Sequence, residues 1–420
     1  MKIAIFTDIF LDTTGGIRSS IMSQKTDLEK RGHIVYVFCP GLKPNKDPTI
    51  RIVPTMKFLK INGTALAKSP KKVIAHARKE LARLDVDIVH VHHEMFASIA
   101  GMKLAREMEI PLVQTMHGRE DVAIEKNLPP GVNFIASWII NKAHARIIPH
   151  TTKIKRDNYL AHSKTARNMW EMMINHANYA DYVVTPTEHF LAKLRHYGLK
   201  KPATNISNGM DDALVAKTSK AKVREMKPGD NLKMIWFSRM SNEKRPMEFL
   251  KAVQMSGIAA ELEMYGDGNA VEKAKRYAKK HNMRNIKVLG RKSRETIMPR
   301  LAWAHINVVN SYGFDTQGMT LLEGIATGLP AIFVDPDMEE TMPKNSYVLV
   351  KSKSIKDMAA ALKNLTKHPE KIKKMSQAAL KEKDSILQSH QTTKLLKVYE
   401  RVKGVPTRTK PEWGRGGNGP

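Results

Sequence analysis

The sequence predicts an α/β protein with two doubly wound parallel sheets that face each other across a cleft. Strand-like apolar runs alternate with helical patterns, and this alternation occurs twice along the 420 residues. A polar segment with Pro228 and Gly229 separates the two series. The chain is also long enough for two domains that each bury a core. We therefore predict a first domain over 1–211, a linker over 212–230 and a second domain over 231–385.

Composition narrows the class of protein. Cys39 is the single cysteine, so no disulfide can form within the chain, which fits a reducing compartment. No signal peptide is expected, because Met1-Lys2 lead directly into a strand-like run, and no apolar run approaches the roughly 18 residues of a membrane span. The net charge of +29 favours a polyanionic partner, either nucleic acid or an anionic membrane. Aromatic residues make up only 6% and no zinc-finger or RNP motif is present, so nucleic acid is not expected as the partner.

The first series begins with a strand at Ile3–Phe6, a turn-rich loop that ends in Gly15-Gly16, and a helix. A glycine pair between a strand and a helix lets the backbone approach a phosphate, although an ordinary tight turn explains the same pair. A later strand ends in His90, His92 and His93. Because these histidines alternate across a strand and we identify no acidic or cysteine partner nearby, no metal site is predicted.

Another strand, 111–116, is followed by His117. The carboxyl ends of parallel strands line the ligand crevice of such sheets, so His117 is predicted to face that crevice.

Two segments of the first domain are strongly basic. Residues 57–83 contain eight lysines and arginines and one acidic residue, Glu80. The later part of this segment has an apolar stripe at helical spacing. Residues 132–156 combine Trp138 and neighbouring apolar residues with five basic residues and no acid. A basic amphipathic helix suits a membrane surface, and a solvated helix that packs its stripe on the core suits the first segment nearly as well.

The second series opens with a strand at 234–237, followed by a loop that holds Arg239 and Lys244. Two cations at the carboxyl end of a strand can hold a diphosphate and stabilise charge on a leaving group. Glu243 is predicted to orient Lys244. Farther along, the stretch 310–330 reads as a loop and then a helix N-terminus near Gly318, which is a ready anion site.

The stretch from Asp315 to Glu323 resembles the E-x7-E region of retaining GT-B glycosyltransferases of the family 4 type, with Asp315 where that family usually has the first glutamate. Its D-T-Q-G-M form more narrowly resembles the bacterial diacylglycerol glucosyltransferases. The loop 238–244 resembles the family's G-R-x-x-x-E-K loop, and 206–211 resembles its I-P-N-G-x-D segment. Because several such motifs occur in the same order as in the family, together they support the resemblance more strongly than any single motif does.

Further matches lie in the first domain. The strand that leads to His117 resembles the family's strand with an active-site histidine, and Glu120-Asp121 resembles its nearby acidic pair. The resemblance also implies a C-terminal helix over 386–403 that crosses back to the first domain. The tail over 404–420, rich in glycine and proline, is predicted to be disordered.

The resemblance implies a GT-B fold and a metal-independent hexosyltransferase that acts with retention. The first guesses are glucose from UDP-glucose as the nucleotide sugar and diacylglycerol as the lipid acceptor. The residues implied in catalysis are His117, Asp315, Arg239 and Lys244. The residues implied to bind the nucleotide sugar are Gly16, Arg239, Lys244, Arg291, Gln317, Gly318, Met319, Leu322 and Glu323.

The expected location is cytoplasmic, attached peripherally to the inner face of the cell membrane and to its anionic surface. Two alternatives stay open. The first is a glycosyltransferase of the same fold that acts on a saccharide or a polyprenyl-linked acceptor. The second is a basic, non-catalytic nucleic-acid-binding protein, which predicts tight RNA binding with a steep salt dependence.

Overall fold

The computed structural model describes residues 1–9, 15–61, 64–218 and 221–404. The predicted tail over 404–420 lies outside the described residues except for Gly404. Residues 12–14 of the first glycine loop also lie outside them.

The first half of the chain builds a seven-stranded parallel sheet and a two-stranded antiparallel hairpin. The strands in chain order are β1 (Lys2–Phe6), β2 (Ile34–Pro40), β3 (Ile50–Val53), β4 (Thr55–Ile61), β5 (Thr64–Ala67), β6 (Ile88–Val91), β7 (Leu112–Thr115), β8 (Tyr182–Thr185) and β9 (Ala203–Asn205). The order in the large sheet is β3-β2-β1-β6-β7-β8-β9. Its central strands are apolar and buried because helices cover both faces.

Eight helices connect these strands within the described part of the first half. They are α1 (Gly16–Lys30), α2 (Pro70–Leu84), α3 (Phe96–Glu107), α4 (Glu120–Asn127), α5 (Val132–Ala145), α6 (Lys164–Tyr179), α7 (Glu188–His196) and α8 (Asp212–Lys217). The side chain of Asp8, which follows β1, accepts hydrogen bonds from the amides of Ala97 (2.7 Å) and Ser98 (3.2 Å) at the start of α3. This carboxylate satisfies two donors that a helix N-terminus leaves unpaired.

The second half builds a six-stranded parallel sheet with the order β12-β11-β10-β13-β14-β15. Its strands are β10 (Leu232–Phe237), β11 (Ala260–Tyr265), β12 (Ile286–Gly290), β13 (Ile306–Val309), β14 (Ala331–Phe333) and β15 (Tyr347–Leu349). Its helices are α9 (Pro246–Ser256), α10 (Val271–Lys280), α11 (Arg294–Trp303), α12 (Met319–Thr327), α13 (Ile355–Lys367), α14 (Glu370–Lys381) and α15 (Gln388–Lys403). The predicted fold class, two doubly wound Rossmann-like halves, is confirmed.

The region between the two sheets is more ordered than a polar linker suggests. It contains α8, and the buried Arg224 side chain donates hydrogen bonds to the carbonyls of Leu301 (3.3 Å) and Thr327 (2.9 Å) in the second half. The region after α8 therefore docks on α11 and α12 of the second half before β10 begins.

The last helix, α15, packs on the first half of the chain. Leu395, Val398 and Tyr399 join the buried cluster of the first sheet. The Tyr399 hydroxyl lies 2.7 Å from His90 Nδ1, and Lys403 pairs with Asp87 at 2.7 Å. The helix thus ties the end of the chain to the sheet with which the chain began.

Candidate active site

The carboxyl ends of the two sheets meet in one cleft. The Thr316 hydroxyl, in the loop after β13, donates to the carbonyl of His117 after β7 at 2.5 Å. The Thr187 hydroxyl donates to the Thr316 carbonyl at 2.8 Å. In open α/β sheets, ligands bind outside the carboxyl ends of the strands, where the strand order reverses. The contacts of Thr316 bring both of these edges together.

Two helix N-termini face each other across this cleft. A Cβ atom built on Gly16, the first residue of α1, would lie 2.9 Å from Cγ of Met319, the first residue of α12. Only a glycine fits this approach without a shift of the methionine. Because each N-terminus presents unpaired amide groups and a positive dipole end, the pair provides an anion-binding surface. Gly16, Gly318 and Met319 are therefore brought together.

Lys244 and Asp315 form an ion pair at the edge of the same surface. Lys244 lies in a 3-10 turn after β10, and Asp315 lies in the loop before α12. Burial by itself would raise the pKa of Asp315, but the Lys244 ammonium and the Ser311 hydroxyl lower it, and the charge of Arg239 adds to this effect. The Asp315 carboxylate is therefore ionised, and Arg239 and Lys244 place two cations around it.

The predicted role of Glu243 as an orienter of Lys244 is wrong. The buried Glu243 carboxylate instead lies 3.3 Å from Arg239 Nη2 and accepts from the Ser241 hydroxyl at 2.5 Å and from Asn127 Nδ2 at 3.0 Å. Residues 242–244 form a 3-10 turn, in which successive side chains point about 120° apart. Glu243 and Lys244 therefore face different partners.

The other residues assigned to the nucleotide sugar differ in what their side chains can do. The Gln317 side chain accepts from the Asn208 amide at 2.9 Å and donates to the Ser207 hydroxyl at 3.0 Å, so it joins the two halves. The Leu322 side chain is 1% exposed in the core. Glu323 is half-buried one turn after Met319, and Arg291 is exposed just beyond β12. Gln317 can therefore offer a ligand only its backbone while these contacts hold, and Leu322, whose amide donates to the Gly318 carbonyl (3.4 Å), serves the core.

His117 ends a chain of hydrogen-bonded side chains that the sequence analysis missed. His117 Nε2 lies 2.8 Å from His92 Nδ1, His92 Nε2 lies 3.3 Å from His90 Nδ1, and His90 Nε2 lies 2.7 Å from the Thr115 hydroxyl. Burial, and next the charge of His93, lowers the pKa of His117 to about 3. His117 is thus a neutral imidazole whose orientation is fixed by His92. The only signal in the sequence was the position of these histidines at strand ends.

The buried histidines predict acid-sensitive folding. Burial lowers the pKa of His90 and of His176 to about 3, whereas the unfolded chain takes up these protons near pH 6.5. Their contribution to stability is complete above pH 6.5 and declines as the pH falls toward 3, by about 1.4 kcal/mol per histidine and pH unit. We expect the melting temperature from calorimetry to drop between pH 6.5 and 5. His90→Gln should reduce that slope and the exposed His76→Gln should not; equal slopes in all three proteins would contradict this account.

The reason given above for excluding a metal near the strand-end histidines is wrong. His93 Nδ1 lies 3.7 Å from Asp8, and His93 Nε2 lies 3.9 Å from Glu120. One ligand atom each of His93, Glu94 and Glu120 lies within 4.8 Å of the others. Glu94 directly follows His93 in the sequence, but Asp8 and Glu120 come from the ends of other strands, so neighbouring residues could reveal only part of this cluster.

The two basic segments differ in what they expose. The apolar stripe of α2 packs inward, with Val73, Ala77 and Leu81 buried, so of the two alternatives for this segment the helix that packs its stripe on the core is the one observed. By contrast, α5 exposes large apolar side chains to solvent, namely Val132 50%, Ile135 56%, Trp138 49% and Ile139 53%. Among the described residues, no helix is both long and apolar enough to span a bilayer.

Basic side chains border the exposed face of α5. Lys164 Nζ lies 5.6 Å from the centre of the Phe134 ring, and Lys155, Arg156 and Arg167 line the same hollow as Trp138. We call Val132, Phe134, Ile135, Trp138 and Ile139, with these basic neighbours, the α5 ridge. An apolar face with a cationic border is typical of elements that lie on an anionic bilayer.

Comparison with known families gives two adjoining matches. Residues 14–214 match the Glycosyltransferase Family 4 model, and residues 218–382 match the Glycosyl transferases group 1 model. Together the two models cover both sheets except for β1, and the first model ends within α8.

The individual proteins that resemble this chain share only a low sequence identity with it. The chain is 24% identical over 356 residues to an alpha-monoglucosyldiacylglycerol synthase of Streptococcus pneumoniae, an alignment that covers 79% of this chain and 70% of the relative. It is 22% identical over 346 residues to a GDP-mannose-dependent alpha-mannosyltransferase of Mycobacterium tuberculosis, with 80% and 79% covered. The structure resembles Anabaena HepE in complex with UDP and glucose, with a TM-score of 0.66, 13% identity and 96% and 100% of the chains covered. At this identity the structural likeness shows the fold alone.

Proposed function

Because the chain belongs to the GT-B glycosyltransferases of the family 4 type, we propose that it transfers glucose from UDP-glucose to a membrane lipid such as diacylglycerol. The assignment of a nucleotide-sugar donor rests on the ion pair between Lys244 and Asp315. This pair lies beside the N-termini of α1 and α12, which face each other. A nucleoside diphosphate sugar needs a site for its diphosphate and polar groups for its hydroxyls. This edge of the cleft supplies both.

In the proposed site, Arg239, Lys244, Gly16 and the amides near Gly318 bind the diphosphate. Lys244 already neutralises Asp315, so a bound diphosphate would share this cation and free Asp315 to accept from hexose hydroxyls. Glu323 binds the ribose, and Arg291 lies beside the base. Preorganised cations of this kind stabilise the charge that develops on the leaving phosphate.

The proposed transfer occurs on one face of the hexose, with retention. The bond from the anomeric carbon to the phosphate oxygen breaks, and the bond to the acceptor oxygen forms on the same face. The acceptor proton passes to the leaving phosphate oxygen. His117 is neutral at physiological pH because of its lowered pKa, so it can accept or donate one hydrogen bond to the sugar or the incoming hydroxyl.

The lipid half of the proposal is supported by the named relative and by the α5 ridge. The Streptococcus relative is named for a glycolipid product, and the ridge belongs to the half that carries His117. A cytoplasmic chain with a net charge of +29 would be attracted to the anionic inner face of the cell membrane.

The test is to incubate the protein with mixed lipid vesicles and a panel of radiolabelled sugar nucleotides. We expect label from UDP-glucose in a lipid that co-migrates with a glucosyl diacylglycerol. Label transferred only from GDP-mannose would favour the second candidate, a mannosyltransferase, which the Mycobacterium relative supports. Label in a soluble saccharide or a polyprenyl-linked product would replace diacylglycerol as the acceptor.

We also expect transfer to be independent of a divalent metal. Arg239 and Lys244 supply fixed positive charge where a metal-dependent enzyme would use a cation. The initial rate with UDP-glucose should stay within about twofold in excess EDTA. A rate that is abolished by EDTA and restored by magnesium or manganese would contradict this expectation.

A further inference from the structure

The hollow beside Trp138, here called the α5 hollow, is a cavity of about 580 Å³ in the first half of the chain. Phe134 and Trp138 of α5 form its aromatic wall, and Lys164 Nζ lies 5.6 Å from the centre of the Phe134 ring. Its charged lining comes from the segment between α5 and α6 and from the first turn of α6, namely Lys155, Arg156, Lys164 and Arg167. None of these residues belongs to the proposed donor site.

The positive charge of the α5 hollow is not compensated by the chain itself. Among the described residues, none of the four cations that line it pairs with a carboxylate. Acidic residues of adjoining segments have other partners: Glu171 lies 3.4 Å from Lys153, Glu125 lies 3.1 Å from His162, and Asp157 accepts from the Tyr197 hydroxyl at 2.8 Å. Four cations without an acid in one cavity favour an anionic ligand.

Hydrogen bonds hold both guanidinium groups of the α5 hollow in place. Arg156 donates to the His162 carbonyl through Nε (3.3 Å) and Nη2 (3.0 Å). Arg167 Nη2 donates to Asn168 Oδ1 at 2.6 Å, and Asn168 Nδ2 donates to the Ser137 hydroxyl of α5 at 3.1 Å. In the part of the chain that the structure describes, the buried Nε–H of Arg167 has no acceptor, which is uncommon for a buried donor. Both groups are therefore oriented and keep N–H donors for a ligand.

We propose that the α5 hollow is a discrete site for the phosphate of one anionic phospholipid headgroup. Guanidinium groups bind phosphate oxygens in bidentate pairs, and a lysine adds a point charge. The inference rests on the proposed contact of the α5 ridge with a bilayer. It goes beyond that contact because it assigns a saturable site for a single headgroup, whereas the net charge attracts any anionic surface.

The surroundings of the α5 hollow favour a phospholipid over a soluble phosphate. Trp138, which lines it, is 49% exposed, and Ile135 and Ile139 on the same helix are 56% and 53% exposed. A phospholipid carries its phosphate next to apolar chains, so a headgroup in the hollow would bring those chains to the α5 ridge. A zwitterionic headgroup suits the site less well, because the four cations would repel its ammonium group.

The test is calorimetric titration of the full chain with dihexanoyl phosphatidylglycerol, an anionic phospholipid that is monomeric in solution at low concentration. One lipid should bind per chain, and dihexanoyl phosphatidylcholine should bind about tenfold more weakly. Lys164→Gln and Arg167→Gln should each lower the affinity about tenfold. Lys200→Gln removes the same charge from an exposed lysine of the first half that does not line the hollow, and it should bind like the wild type. Circular dichroism checks folding, and the exposed Lys164→Gln decides the matter if Arg167→Gln does not fold.

Weaker binding in both hollow variants with Lys200→Gln unchanged supports the site. An equal loss in Lys200→Gln, or no binding by the wild type, overturns it, because charge at any position would then count alike. Inorganic phosphate that binds as tightly as the anionic lipid overturns the assignment to a phospholipid. An RNA oligonucleotide that displaces the lipid at a lower concentration than the lipid itself also overturns it in favour of nucleic acid.

The titration needs neither a bilayer nor a sugar nucleotide, so its outcome is separate from that of the proposed function. Lipid that binds in the α5 hollow while no sugar reaches a vesicle lipid would count against the proposed function alone. Sugar transfer to a lipid without binding in the hollow would count against the site alone.

Discussion

Arg239→Ala and Lys244→Ala are each expected to lower kcat/KM for the nucleotide sugar by roughly 2–4 kcal/mol of transition-state stabilisation, or about 30- to 1000-fold. Both side chains lie after β10, and Lys244 pairs with the half-buried Asp315 carboxylate. Without Lys244, Asp315 would face the incoming diphosphate with its charge less compensated, so Lys244→Ala should have the larger effect. The measurement is steady-state kinetics of sugar transfer, with the melting temperature as a check on folding.

A matched control is available in the same region. Lys251 is an exposed lysine on α9, close in sequence to this loop, and Lys251→Ala should leave the rate within about twofold because an exposed charge outside the site contributes little. Asp315→Asn removes the other partner of the pair, and it should not restore the activity of Lys244→Ala because Asp315 is itself proposed to bind the hexose hydroxyls. Turnover near that of the wild type in Arg239→Ala or in Lys244→Ala would remove the substituted residue from the proposed site.

A combined change of Ile135, Trp138 and Ile139 to serine should release the protein from anionic vesicles. Each of these side chains is about half exposed. Insertion of the α5 ridge would bury the exposed apolar surface and contribute roughly 1 kcal/mol of binding free energy per side chain. The three together predict about a hundredfold weaker vesicle binding. Sedimentation with vesicles measures it, and UDP affinity should be unchanged because the ridge is made of surface residues outside the donor site.

The contributions of charge and of apolar insertion to vesicle binding can be distinguished by their dependence on salt concentration. Replacing Lys71, Lys72, Arg78 and Lys79 with glutamine removes exposed charge from α2 but leaves its buried stripe intact. Attraction between charges is screened within about 10 Å at 0.1 M salt, whereas apolar insertion is not. The defect of the quadruple variant should therefore disappear at high salt and the defect of the serine variant should persist. Binding by the serine variant equal to that of the wild type would exclude the α5 ridge as the contact.

The repeated strand and helix pattern was sufficient to predict the fold and the loops that the structure brings to the cleft. Central parallel strands are buried on both faces and appear as continuous apolar runs, so β1, β6 and β10 can be recognised from a few neighbouring residues. The start of α12 near Gly318 and the loop with Arg239 and Lys244 are local features of the same kind. The chain alone therefore determined which segments lie at the carboxyl edge of the second sheet, where the phosphate site is proposed.

Only the tertiary structure decided which groups meet. Lys244 pairs with Asp315, 71 residues away, while its neighbour Glu243 turns to Arg239, and Asp8 reaches His93 across the sheet. Helical periodicity showed that α2 and α5 each have an apolar face but not what covers it. The apolar face of α2 is buried against the core of the first half, whereas the apolar face of α5 is exposed to solvent. The difference arises because the elements that could pack on such a face are distant in the chain.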